Sequence, residues 1–103
     1  MKTLKFDKKY YLSILNGDKT QTLRKNNKRL WEGEIVKAYF PGTKFSCKLR
    51  ITETGYKQFK HVDDEDAKRE GYDTLEELEK ELKRFYPRLD QFDRLYYYRF
   101  KVL

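Results

Sequence analysis

The run Gly17, Asp18, Lys19, Thr20, Gln21, Thr22, Leu23, Arg24 gathers an amine, two hydroxyls and a guanidinium within a few residues of one another. Groups of these kinds can move a proton, attack a carbonyl centre or hold an anion. The same residues also suit an ordinary half-exposed strand, since Thr is a good strand former and Lys, Thr and Gln alternate in many such strands. Residue type alone does not decide between the two. An apolar cluster with helical spacing, Tyr10, Tyr11, Leu12, Ile14 and Leu15, comes just before, and Gly17 falls where a left-handed residue would close that helix. The polar groups are therefore expected at a chain reversal, on or just beyond a rigid element.

The surrounding elements are legible from pattern. Leu4 to Phe6 reads as a short strand, and Asp7 can cap a helix from Lys8 to about Asn16. Gln21 to Arg24 reads as extended and leads into a polar loop, Lys25 to Arg29, expected to be solvated and mobile. Its cations Lys25, Lys28 and Arg29, with Arg24, suit phosphate steering or plain surface charge. Glu34 to Phe40 should be a strand stopped by Pro41 and Gly42. Ser46 to Thr52 alternates, turning Cys47, Leu49 and Ile51 inward and Lys48 and Arg50 outward as part of a basic wall. Gly55 interrupts, so Tyr56 to Lys60 is expected as a separate short strand.

Asp63 to Arg69 predicts a short helix, its acidic start favoured by the helix dipole. Thr74 and Glu77 form a capping box that opens a second helix, on which Leu75, Leu78, Leu82 and Phe85 make one core stripe before Pro87 stops it. Leu95 to Leu103 is a final strand, with Tyr96, Tyr98, Phe100 and Val102 on one face. This order lacks sustained strand-helix-strand repetition, which disfavours a doubly wound sheet. It fits an α+β fold: a small, closed or nearly closed mixed β-barrel with flanking helices.

With 103 residues, the chain is expected to be one domain spanning 1–103. Charged residues make up 40 %, yet 17 % aromatic content supplies the apolar bodies that an ordered core needs. No apolar run reaches membrane-spanning length, so a cytoplasmic location without membrane association is expected. Cys47 and His61 are each the only residue of their type, so a dedicated zinc site lacks its ligands; the acidic run Asp63, Asp64, Glu65 and Asp66 could hold magnesium but better suits a helix N-terminus, and no metal or cofactor is expected. Residues 1–60 carry 15 Lys and Arg against 5 Asp and Glu, whereas residues 61–103 carry 9 against 12. A polyanion would therefore meet the first part of the chain, although abundant Lys and Glu also accompany heat adaptation.

Gly17, Lys19, Thr20, Thr22 and Arg24 together resemble the opening signature of the ASCH domain, a relative of the PUA-type RNA-binding barrels. Trp31, Glu32, Gly33, Glu34, Ile35 and Val36 are similar to that family's entry into its next strand. Glu70, Gly71 and Tyr72, followed by Thr74, Leu75, Glu76, Glu77 and Leu78, are similar to its Glu-Gly-aromatic turn and helix. The resemblance implies a PUA-like mixed barrel. Small members of the family remove the acetyl group of N(4)-acetylcytidine, and by that resemblance Lys19 is the proton acceptor, Thr22 the nucleophile and Glu70 the proton donor. Thr20, Arg24, Lys25, Lys28, Arg29, Lys48 and Arg50 are the candidate substrate or RNA contacts. The resemblance implies as partner a modified nucleoside or, alternatively, single-stranded RNA bound by a PUA-like module with weak ribonuclease activity. The oligomeric state is left open.

Amide hydrolysis needs a nucleophile, a group to take its proton and a group to protonate the departing amine. A free lysine titrates near 10.4, so only on the order of a thousandth is neutral at pH 7. Lys19 therefore needs burial and the nearby cation Arg24 to lower its pKa, while Glu70 must be protonated to donate.

Overall fold

The computed structural model describes residues 1–103. Five strands form one sheet: β1 (Thr3–Lys5), β2 (Gln21–Arg24), β3 (Ile35–Tyr39), β4 (Ser46–Gln58) and β5 (Arg94–Val102). A 3-10 turn, Lys8–Tyr10, runs into the short helix α1 (Tyr11–Leu15). Helices α2 (Asp64–Arg69) and α3 (Leu75–Phe85) lie between β4 and β5. The spatial order is β1-β3-β4-β5-β2, with β1 parallel to β3 and all other neighbours antiparallel. The sheet is mixed and curls into a half-barrel, and the edges β1 and β2 do not pair with each other. Arg24 spans that seam, its Nη2 donating to the Lys5 carbonyl at 2.7 Å.

Two cores lie on opposite sides of the sheet. The first gathers Leu4, Phe6, Ile14, Val36, Ala38, Phe40, Leu49, Ile51, Tyr98 and Phe100, with Leu30 of the β2–β3 loop. The second lies under α2 and α3 and joins Leu23 and Leu95 to Val62, Ala67, Leu78 and Leu82. Strand β5 feeds both, because Tyr98 and Phe100 point one way and Leu95 and Tyr97 the other. Cys47 is half-buried at the border of the first core.

Three expectations need correction. β4 is continuous through Gly55, which pairs with Tyr97, and no second strand begins at Tyr56. The glycine is required because the Tyr97 ring lies across the space that a Cβ would fill. Phe85 does not complete the core stripe of α3: it sits at the last helical position and is exposed, while Leu78 and Leu82 are buried. The loop Lys25–Arg29 is exposed but tied down, since the Tyr98 hydroxyl accepts from Lys28 N at 2.7 Å and donates to Asn27 Oδ1 at 3.0 Å. No helix is long and apolar enough to cross a membrane.

Candidate active site

Glu70 reaches the Lys19 segment because α2 is fastened to the start of β2. Asp63 caps α2, its side chain accepting from Asp66 N while Asp66 accepts from Asp63 N, which is the use the structure makes of the acidic run. Fully buried Asp66 then binds Lys57 Nζ at 2.7 Å and Gln21 Nε2 at 3.1 Å, and Gln21 Oε1 accepts from Arg99 Nε at 3.0 Å. At the other end of α2, Thr20 N donates to the Arg69 carbonyl at 2.7 Å. Glu70 is the C-cap of the helix, and Gly71, at φ +90°, makes the turn that follows. A Cβ on Gly71 would touch Lys19 Cβ, so the Glu70 turn lies close beside the Lys19 backbone.

Lys19, Thr22 and Glu70 are 4 %, 4 % and 5 % exposed, and all three line one cavity of about 620 Å³. Lys19 Nζ lies 3.3 Å from both Glu70 Oε1 and the Glu70 carbonyl, and sits over the Tyr10 ring at 4.6 Å from its centroid. Glu70 Oε2 is buried without a hydrogen-bond partner. Thr22 Oγ1 accepts from Arg24 Nε at 2.9 Å, so the hydroxyl keeps its own proton to give elsewhere. The Arg24 guanidinium packs over Phe6 and has no carboxylate within ion-pair distance.

Burial lowers the Lys19 pKa, with the Arg24 charge acting in the same direction and Glu70 opposing. Burial likewise raises the Glu70 pKa, against the pull of the Lys19 charge. Both shifts favour neutral partners, because burial strips each group of the water that would solvate its charge. Burial also lowers Arg24, yet a guanidinium stays charged.

The cavity opens at the seam between the sheet edges. One wall holds Lys5, Phe6, Lys8 and Tyr10, and the other holds Leu78, Glu81, Leu82, Phe85 and Tyr86. At the rim Tyr10 and Tyr72 share a 2.5 Å hydroxyl contact, and burial raises both phenol pKa values. Glu81 stays ionised, held down at about 2 chiefly by its hydrogen bond from Arg84, with Lys9 adding to it.

The other candidate contacts divide. Arg24 and Lys28 line the cavity. Thr20 does not, and its backbone N–H is spent on the Arg69 carbonyl. Lys25 pairs with Asp93 at 3.7 Å, and Arg29 is an exposed loop residue at φ 54°. Lys48 and Arg50 lie on the solvent face of β4, opposite inward Leu49 and Ile51. Sequence reasoning missed Tyr10, Gln21 and Asp66 as supports of the site. Only Tyr72, beside Glu70 and Gly71, carried a signal.

A curled five-stranded sheet of this order, flanked by three helices, is the ASCH-domain fold. The chain is similar to the crystal structure of an ASCH domain from Lactobacillus crispatus JV V101, at TM-score 0.83 and 17 % identity over 98 % of this chain and 79 % of that one. It is also similar to protein EF3133 of Enterococcus faecalis V583, of family DUF984, at TM-score 0.81 and 18 % identity, covering 100 % of this chain and 76 % of that one. Hypothetical protein PH0355 superposes at TM-score 0.75 and 20 % identity, with each chain covered in full. No protein-family model and no curated protein matches the sequence.

Proposed function

We propose that the protein hydrolyses the N(4)-acetyl amide of acetylcytidine to cytidine and acetate. One observation carries this: an amine, a hydroxyl and a carboxyl from two distant segments line a single cavity while almost wholly withdrawn from solvent. Thr22 Oγ attacks the acetyl carbon as neutral Lys19 takes its proton. Arg24, already bonded to Oγ1, turns its remaining N–H edge to the developing oxyanion. Collapse breaks the C–N bond as Glu70 protonates the departing nitrogen, leaving an acetyl ester on Thr22. Water then gives its proton to the Glu70 carboxylate and attacks the ester; acetate leaves, and Thr22 regains its proton from Lys19.

Incubation with N(4)-acetylcytidine and chromatographic detection of cytidine tests this. Turnover by wild type, lost on Lys19→Ala, is the expected result; no cytidine from folded wild type sinks the assignment. A second reading, an RNA-binding module, draws on the outer sheet face. There Lys37 sits opposite Lys48 and Arg50 opposite Lys101, with no carboxylate within ion-pair distance of any of them.

A further inference from the structure

We infer that the cavity takes a phosphomonoester of the acylated nucleoside in preference to the bare nucleoside. The inference rests on the amidohydrolase assignment for the acyl group, and on the charge of the cavity for the phosphate.

The acids that line the cavity are all engaged. Glu70 faces Lys19, Glu81 is held by Lys9 and Arg84, and Asp7 lies 3.8 Å from Arg84. The lining cations Lys5, Lys8, Arg24 and Lys28 have no carboxylate within ion-pair distance. A neutral nucleoside leaves that excess uncompensated. The excess is also graded by exposure: Arg24 is half-buried beside Thr22, whereas Lys5, Lys8 and Lys28 are exposed. An acylcytidine whose amide reaches Thr22 must direct its ribose the other way, toward those lysines. There a phosphate would meet mobile ammonium donors, which bind phosphate as point charges. A cavity of about 620 Å³ falls well inside the range of roughly 300–1,000 Å³ typical of sites for drug-sized ligands, so base, sugar and phosphate fit together.

The test compares kcat/KM for N(4)-acetylcytidine and its 5′-monophosphate at low salt, in wild type and in the Lys8→Gln/Lys28→Gln variant. Calorimetric binding of cytidine and cytidine 5′-monophosphate is measured in parallel. Wild type should favour each monophosphate by about tenfold or more, the scale of one charge-assisted contact, and the variant should bring both ratios toward one. The preference should also shrink below about pH 6, where a phosphomonoester loses its second charge. Equal turnover and equal binding of phosphorylated and bare compounds overturn the phosphate subsite while leaving the hydrolase standing. Tighter binding of cytidine monophosphate without any deacetylation does the reverse. A 5′-phosphorylated oligonucleotide beginning with acetylcytidine identifies the source: better turnover than the mononucleotide assigns an RNA end, poorer turnover a free nucleotide, and either supports the phosphate.

Discussion

Thr22 Oγ1 already serves the fold as the acceptor for Arg24 Nε, so its substitutions bear on folding and chemistry together. Thr22→Val keeps the shape but leaves a partly buried N–H unpaired, which costs about 1–3 kcal/mol. We expect it to lower Tm and to abolish deacetylation, whereas Thr22→Ser should retain stability and measurable turnover; full activity in Thr22→Val would exclude the hydroxyl as nucleophile. The Lys19 and Glu70 pair governs pH dependence. If the active form is neutral amine with protonated carboxyl, the acid limb of the rate profile comes from protonation of Lys19 and the alkaline limb from ionisation of Glu70. Burial moves the acid limb below the ordinary lysine range and the alkaline limb above the ordinary carboxylate range. Glu70→Gln should therefore be slow and lack the alkaline limb, as kcat/KM measured across pH would reveal. The stability consequences have opposite signs. The raised Glu70 pKa contributes stability that is full below its unfolded value and declines as pH climbs to the folded one. The lowered Lys19 pKa makes stability rise with pH, from its folded value up to the unfolded value near 10.4.

The helix that carries Glu70 is only six residues long, too short to persist without tertiary anchors. Asp66 is the main anchor. Its burial alone would raise its pKa, but hydrogen bonds from Lys57, Gln21 and Asp63 N–H outweigh that and hold it below the usual carboxylate range. The stability it contributes is thus present above about pH 3.9, its unfolded value, and is lost as pH falls through the folded one. Asp66→Ala should cost about 2–3 kcal/mol in a denaturant titration, less than the ~3–5 of a fully buried broken pair because Lys57 remains 23 % exposed. It should also cut kcat, because Glu70 loses its mooring; unchanged stability would contradict the anchoring. In β4, Gly55→Ala forces Tyr97 aside and should cost about 1–3 kcal/mol, as overpacking does. These elements differ in how readily sequence disclosed them. Caps, periodic stripes and glycine stops are local, so α1, α2, α3 and β2 were readable, and short motifs singled out Lys19, Thr22 and Glu70, which the fold brings to one cavity. Continuity of β4 depends on a Tyr97 ring that arrives from another strand. The burial of Gln21 depends on Asp66, distant in the chain, and Gln21 was therefore read as an ordinary strand residue.

For the molecule as a whole, the uneven charge resolves into two separate surfaces. One is the cavity at the β1–β2 seam, and the other is the solvent face of β3, β4 and β5. On that face like charges stand directly opposite in register, Lys37 with Lys48 and Arg50 with Lys101, an arrangement that destabilises a sheet unless an anion lies over it. The two surfaces should respond independently. Short single-stranded RNA titrated at several salt concentrations should bind wild type with an affinity that falls as salt rises, by about 0.7 in log–log slope for each phosphate neutralised. Removing two of the cations by Lys48→Gln/Arg50→Gln should flatten that slope by about 1.4. Deacetylation should persist in that variant, since neither residue lines the cavity. Lys19→Ala should show the converse, losing turnover while keeping RNA affinity. If instead RNA affinity collapses with Lys19→Ala and is indifferent to Lys48 and Arg50, the strand enters the cavity and the outer face is only a solvated surface.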